Sequence, residues 1–148
     1  MAKLFVYYSY TGNGDFAAEY LKVQGCDLRK VERKNKLPKS FFFGVLHGGF
    51  LAMMKVKDKL VNFDTNIDEY DEIIIGSPIW NGRISSPINT VLTQLNLTGK
   101  KVAFVFCAGS GEGPKAAERV TKEYPDSKVV FLKEPRRYPE ELAKLKEI

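Results

Sequence analysis

The sequence contains few of the residues that stabilise small secreted proteins or bind metals. Its 148 residues include two cysteines, Cys26 and Cys107, one histidine and one tryptophan. Two cysteines are too few for a disulfide framework, and they favour a reducing, cytoplasmic location. The single histidine, His47, has no cysteine or second histidine near it, so it is interpreted as a structural residue. No metal site is therefore predicted.

The sequence also has no long apolar stretch, internal repeat or low-complexity linker. Its apolar runs are far shorter than the roughly 20 residues that cross a bilayer, so no membrane association is expected. The N-terminus has one lysine and then a strand-like run, without the small-residue cleavage site of a signal peptide. A chain of this length suits one domain, and a single domain is predicted over residues 1–148.

Positive charge is concentrated in one segment of the chain. Residues 29–60 carry a net charge of +7 and the remaining residues a net charge of −2, which gives +5 in total. Such a segment prompts the hypothesis of nucleic-acid binding, but no DNA- or RNA-binding motif accompanies it, and no nucleic-acid partner is expected. The segment is interpreted as a solvated surface, or as a docking surface for an acidic partner protein.

Short apolar runs alternate with helix-like patterns along the chain. Five runs predict buried strands, at residues 4–8, 28–32, 73–75, 102–106 and 129–132. Helices are predicted between them and after the last, three of which have a proline in the first turn: Pro87, Pro114 and Pro139. Residues 33–60 are interpreted as a loop followed by a broken helix. The alternation predicts an α/β fold in which helices cover both faces of a five-stranded parallel sheet.

Ligands of such sheets bind beyond the carboxyl ends of the strands, where the first predicted loop spans residues 9–14. It combines two glycines with polar side chains at the start of a helix, which suits a phosphate cradle or a plain strand-to-helix turn. The loop lacks the Gly-Lys-Ser/Thr motif of nucleoside triphosphatases and the G-x-G-x-x-G motif of dinucleotide-binding folds. The chain also lacks the strand-end aspartate of receiver domains and the arginine that cysteine phosphatases carry six residues after the nucleophile.

Two further loops are predicted at the same edge of the sheet. The loop at residues 77–84 contains the only tryptophan, Trp80, which is interpreted as a stacking surface for a flat ring or as a plug at the end of the sheet. The loop at residues 108–113 contains three glycines, so its backbone groups can approach a ligand edge closely.

The run Ser9-x-Thr11-Gly12-Asn13 after the first strand, together with the run at residues 73–80, resembles the flavodoxin family. The resemblance implies a flavodoxin-like three-layer sandwich with strand order 2-1-3-4-5 and one bound flavin mononucleotide (FMN). By this likeness Ser9, Thr11, Gly12 and Asn13 hold the phosphate, Trp80, Asn81 and Gly82 flank the isoalloxazine ring, and Ala108, Gly109, Ser110 and Gly111 line its other edge. Tyr10, Gly14, Pro78 and Ile79, from the same loops, complete the predicted cofactor-binding set.

The resemblance implies an FMN-binding carrier that exchanges electrons with a redox partner protein, as a monomer or homodimer. A small FMN-dependent NAD(P)H:quinone or acceptor reductase is the first alternative, so an enzyme would be an FMN-dependent oxidoreductase. Gly14 replaces a residue that carries a hydroxyl in most of the family, which predicts weaker FMN binding. A flavodoxin-like interaction module that has lost its flavin is therefore the second alternative.

Overall fold

The computed structural model describes residues 2–34, 46 and 58–148. The strands are β1 (Lys3–Tyr7), β2 (Asp27–Lys30), β3 (Glu72–Trp80), β4 (Arg83–Ile84), β5 (Lys101–Ala108) and β6 (Lys128–Lys133). The helices are α1 (Asn13–Val23), α2 (Ser86–Gln94), α3 (Pro114–Glu123) and a C-terminal 3₁₀ helix (Pro139–Glu147). No helix in the described part of the chain is long and apolar enough to cross a membrane.

The strands form one sheet in the order β2-β1-β3-β5-β6, and these five strands pair in parallel. This confirms the predicted flavodoxin-like fold class and, once the short β4 is set apart, the predicted strand order. The predicted count of five strands was incomplete, because β4 adds a sixth strand that pairs antiparallel with the end of β3.

Side chains of the central strands alternate between two buried clusters, as expected for a sheet covered on both faces. One face presents Ile73 and Ile75 of β3 to the side chains of α2 and α3. The other face presents Ile74 to α1 and to Leu145 of the 3₁₀ helix. The helices thus form the outer layers of the predicted three-layer sandwich.

Several predicted boundaries of strands, loops and helices were wrong. β3 does not end at Gly76 but continues to Trp80, so the first half of the predicted loop at residues 77–84 is strand. Gly76 pairs with both neighbouring strands, and the ring of Phe5 packs over it, so only glycine fits here: a Cβ at residue 76 would lie 2.5 Å from Cζ of Phe5. The second strand is Asp27–Lys30 rather than residues 28–32, and the last predicted helix is a 3₁₀ helix.

The loop and broken helix predicted within residues 33–60 lie mostly outside the described residues, as does His47. The described ends of this stretch lie side by side. The buried Arg33 forms an ion pair with Asp58, with 2.7 Å between Nε and Oδ2, and Lys34 donates its backbone N–H to the carbonyl oxygen of Lys59. Arg29 and Lys30 are also paired, with Asp64 and Asp15, so these three basic residues support the fold rather than only a docking surface.

Candidate functional site

A cleft of about 250 Å³ lies at the carboxyl ends of β1, β3 and β5, where the predicted loops meet. It is lined by most of the predicted residues: Ser9, Tyr10, Thr11, Asn13, Gly14, Pro78, Ile79, Trp80, Asn81, Ala108 and Gly109. The lining also includes Tyr8, Cys107 and Glu134, which were not predicted. Four predicted residues, Gly12, Gly82, Ser110 and Gly111, belong to the same loops but lie beyond this lining.

The first wall of the cleft is the loop at residues 9–14, which joins β1 to α1. Gly12 precedes the helix with a left-handed φ of 95°, which glycine adopts without strain. No side chain of the described residues caps the start of α1. The other described helices lack a side-chain cap as well, so it is the position of this helix start at the cleft that makes its first-turn N–H groups candidates for binding an anion.

The hydroxyl of Ser9 supports the same conclusion. Its Oγ is buried and has no hydrogen-bond partner among the residues that the structure describes. Buried polar atoms are almost always satisfied, so an orphaned hydroxyl beside an uncapped helix start marks a place for a polar ligand. A phosphate group, which carries several acceptor oxygens, fits this donor set.

Gly14 determines how closely α1 approaches Ser9. A Cβ at residue 14 would lie 3.0 Å from Cβ of Ser9 and 3.2 Å from the carbonyl oxygen of Tyr8. A larger residue would therefore crowd the serine that carries the orphaned hydroxyl. The weaker FMN binding predicted from the missing hydroxyl at Gly14 stays a prediction.

The second wall is a β-hairpin and not the predicted open loop. Asn81 and Gly82 have φ values of 51° and 72°, and they join β3 to β4 with Trp80 paired to Arg83. Two residues with positive φ, above all the pair Asn-Gly, form the tight turn that suits paired strands. This pair was a local signal of the hairpin that the sequence analysis missed.

Trp80 lies at the end of β3 and is only 7% exposed. The ring of Tyr8 meets it edge-on, with 5.8 Å between centroids, and that of Tyr10 at 6.4 Å. The hypothesis of a tryptophan displayed in a loop is corrected accordingly, because these contacts bury most of the indole. Trp80 lines the cleft as part of an aromatic cluster that also closes the end of the sheet.

The third wall is formed by Cys107, Ala108 and Gly109 at the end of β5. No described heavy atom lies within 4 Å of a Cβ built at Gly109, so this backbone is open on the side of the missing side chain. Burial raises the pKa of Cys107 to about 12, which keeps its thiol protonated. The prediction that Cys107 is a buried thiol that packs like a small apolar side chain is confirmed.

The lining of the cleft combines neutral polar groups with the carboxylate of Glu134. Tyr8 is buried too, and loss of solvation raises the pKa of its phenol to about 12. A protonated phenol and a protonated thiol do not act as nucleophiles near neutral pH. The arrangement suits binding and orienting a ligand that brings its own chemistry.

One element of the site could not be found from the sequence. The turn at residues 134–138, after β6, packs against the loop at residues 9–14 through Arg136, whose backbone N–H donates to Oδ1 of Asn13 at 3.0 Å. Glu134 of the same turn lines the cleft. The two contact partners are 123 residues apart, and the only signal was that residue 136 follows the carboxyl end of a strand.

The model of the NADPH-dependent FMN reductase family matches residues 12–129. No curated protein matches the chain. Among solved structures, a protein from Bacteroides eggerthii DSM 20697, described provisionally as a flavoprotein, is 26% identical with a TM-score of 0.77, over 96% of this chain and 98% of that one. A flavoprotein from Lactobacillus acidophilus NCFM in complex with FMN is 22% identical with a TM-score of 0.66, over 86% of this chain and 89% of that one.

These similarities agree with the geometry. They support a flavodoxin-like fold with FMN as the cofactor, and they do not confirm the flavodoxin family itself. The family match begins inside the first loop and spans the hairpin and the loop after β5.

Proposed function

Because the chain belongs to the NADPH-dependent FMN reductase family, we propose that it is an FMN-containing oxidoreductase that accepts electrons from a reduced nicotinamide coenzyme. FMN is its cofactor. The observation that carries the proposal is the family match over residues 12–129, which includes most of the cleft. The uncapped start of α1 and the orphaned hydroxyl of Ser9 fit the phosphate of that cofactor.

Each wall of the cleft would bind a different part of FMN. Ser9, Thr11 and the first-turn N–H groups of α1 would bind the phosphate. The aromatic cluster of Tyr10 and Trp80 would flank the ring system on one side, and the open backbone at Gly109 would face its other edge. The flavin supplies hydride and single-electron transfer when it is bound, whereas the protein supplies position and electrostatics.

A carrier of single electrons is the second candidate, and the size of the cleft favours it. The described lining encloses about 250 Å³, which is small for a flavin and a coenzyme side by side. Such a carrier would dock a redox partner protein. In either case the two free, buried cysteines support a reducing, cytoplasmic location.

Anaerobic mixing with reduced coenzymes separates the candidates. The protein is loaded with FMN, and the visible absorbance of the bound flavin is followed after addition of NADPH, of NADH or of dithionite. Rapid bleaching by NADPH supports the reductase. Bleaching by dithionite alone overturns it in favour of the carrier, and a protein that binds no FMN overturns both.

A matched variant controls for reduction of unbound flavin. Gly109→Leu places a side chain in open space within the lining of the cleft, so we expect it to fold and to lose FMN. Bleaching at the wild-type rate by this variant would show that the reaction occurs outside the cleft.

A further inference from the structure

The turn at residues 134–138 is built to face the loop at residues 9–14. Glu134 has a left-handed φ of 39°, and its carbonyl oxygen accepts the N–H groups of Arg137 and Tyr138 at 2.8 and 2.9 Å. This tight turn follows β6 directly. It places two successive arginines beside the predicted phosphate-binding loop.

Arg136 contacts that loop twice. Its guanidinium donates to the carbonyl oxygen of Thr11 at 2.9 Å, and its backbone N–H donates to Oδ1 of Asn13 at 3.0 Å. Asn13 in turn donates through Nδ2 to Oγ1 of Thr11 at 3.2 Å. The three residues form one network that fixes the loop, and the guanidinium lies 3.7 Å from a Cβ built at Gly12.

The guanidinium of Arg136 places a positive charge beside a loop that has no positively charged residue of its own. Residues 9–14 include no lysine or arginine, and Asp15 in the first turn of α1 is paired with Lys30 at 2.8 Å. A cavity of about 310 Å³ lies between the loop and the turn, lined by Thr11, Asn13, Glu134, Arg136 and Arg137. Glu134 is the opposing charge in this lining, so the cavity carries two arginines and one carboxylate.

We infer that Arg136 selects flavins that end in a phosphate, by preorganising the loop at residues 9–14 and by placing a positive charge beside the bound phosphate dianion. The inference rests on FMN binding in the proposed orientation. It assigns to the turn after β6 a role in distinguishing FMN from riboflavin, which is the same flavin without the phosphate.

Titration of the apoprotein with FMN and with riboflavin tests this role. Quenching of flavin fluorescence gives the dissociation constant of each. For Arg136→Ala we expect the FMN affinity to fall about ten- to hundredfold, as for loss of a charge-assisted contact, while the riboflavin affinity changes little. The dependence of FMN affinity on salt concentration should also become weaker.

Two further variants separate the effect of the contacts that Arg136 makes with the loop from the effect of its positive charge. Arg137→Ala removes the same charge from the same turn, but the Arg137 guanidinium lies 5.4 Å from the ring of Tyr138, so a smaller loss of FMN affinity is expected. Arg136→Lys keeps the charge without the forked donor and should give an intermediate value. Thermal unfolding of each variant shows whether the fold is intact.

The outcomes are distinct. Equal losses of FMN and riboflavin affinity, or no loss of either, would overturn the selectivity role while leaving FMN binding in place. A raised KM for NADPH with an unchanged preference for FMN would assign Arg136 to the coenzyme phosphate and also overturn it. A wild-type protein that binds neither flavin would instead refute the proposed function.

Discussion

The two ends of the sheet differ in a way that cavity size does not reveal. The carboxyl end holds the cleft of about 250 Å³, whereas a cavity of about 1100 Å³ lies at the amino end, beside Lys3, Glu72 and Lys128. Volume alone would direct attention to the amino end. The predicted loops, which meet around the smaller cleft, direct it to the carboxyl end.

The polar groups explain which end is built for a ligand. At the amino end the ammonium of Lys100 donates to the carbonyl oxygens of Ile67 and Tyr70 at 3.1 and 2.6 Å, and Lys3 pairs with Glu72 at 3.3 Å. At the carboxyl end the Ser9 hydroxyl is orphaned among the described residues. The unsatisfied hydroxyl of Ser9 therefore indicates the carboxyl end as the ligand end, whereas empty space alone would indicate the amino end.

The largest effect is expected at the carboxyl end, for Gly113→Val. A Cβ at residue 113 would lie 2.9 Å from Cε1 of Phe131 and 3.2 Å from Cγ1 of Ile79, which lines the cleft. We expect a loss of about 3 kcal/mol in the free energy of unfolding, because the added side chain overpacks this contact. FMN affinity should fall as well, since Ile79 must move.

Gly99→Ala is the matched control near the amino end. No described heavy atom lies within 4 Å of a Cβ there, and the cost is backbone strain from a φ of 76°. We expect a loss of about 1 kcal/mol in stability and an unchanged FMN affinity. Urea unfolding and FMN titration measure both quantities, and weaker FMN binding in Gly99→Ala would remove the distinction between the ends.

A smaller effect is expected at high pH, where the two cysteines should contribute differently to the pH dependence of the unfolding free energy. Burial alone raises the pKa of Cys107 from 9.0 to about 12. Burial also raises the pKa of Cys26, where Lys3 lowers it and Glu72 and Asp27 raise it. A thiol whose pKa is higher in the folded state stabilises the fold fully below pH 9, and this contribution is lost as the pH rises towards 12. The loss of one such proton lowers the unfolding free energy by at most about 1.4 kcal/mol per pH unit.

Stability curves between pH 8 and 11 therefore test the burial of each thiol. Cys107→Ala should flatten the alkaline decline of the unfolding free energy, and Cys26→Ala should flatten it less. A larger flattening of the alkaline decline in Cys26→Ala than in Cys107→Ala would contradict the burial assigned to Cys107. Tyr8, whose pKa also rises to about 12, contributes to the decline in both variants and does not alter their difference.

Much of the fold follows from local sequence patterns. The run at residues 73–75 is apolar without interruption, as a strand buried on both faces requires, and its neighbours in the sheet share this character. Strands of this kind that alternate with helices allow few topologies. The loops at their carboxyl ends could therefore be identified as the candidate site before any contact was known.

Other features depend on contacts between distant residues. Trp80 is buried in a cluster that includes Tyr8 and Tyr10, which follow a different strand, so no local pattern separates a stacking surface from a plug. Arg136 reaches Thr11 across 125 residues of chain, and its neighbours in the sequence carry no motif for that contact. The hairpin at the end of β3 does not depend on distant contacts in this way, because the adjacent residues Asn81 and Gly82 predict its tight turn from the local sequence.

The smallest effect is expected for Lys3→Met at the amino end. The Lys3 side chain is 34% exposed and its partner Glu72 is 10% exposed, so removing the ion pair should lower the unfolding free energy by less than about 1 kcal/mol. Methionine retains the apolar stem of the lysine, which limits any loss of packing. FMN affinity should stay at the wild-type value, because the proposed flavin site lies at the opposite end of the sheet from the cavity that Lys3 lines. A clear loss of FMN affinity in this variant, measured beside Gly113→Val, would show that the two ends of β3 are coupled and that unsatisfied donors alone do not locate the site.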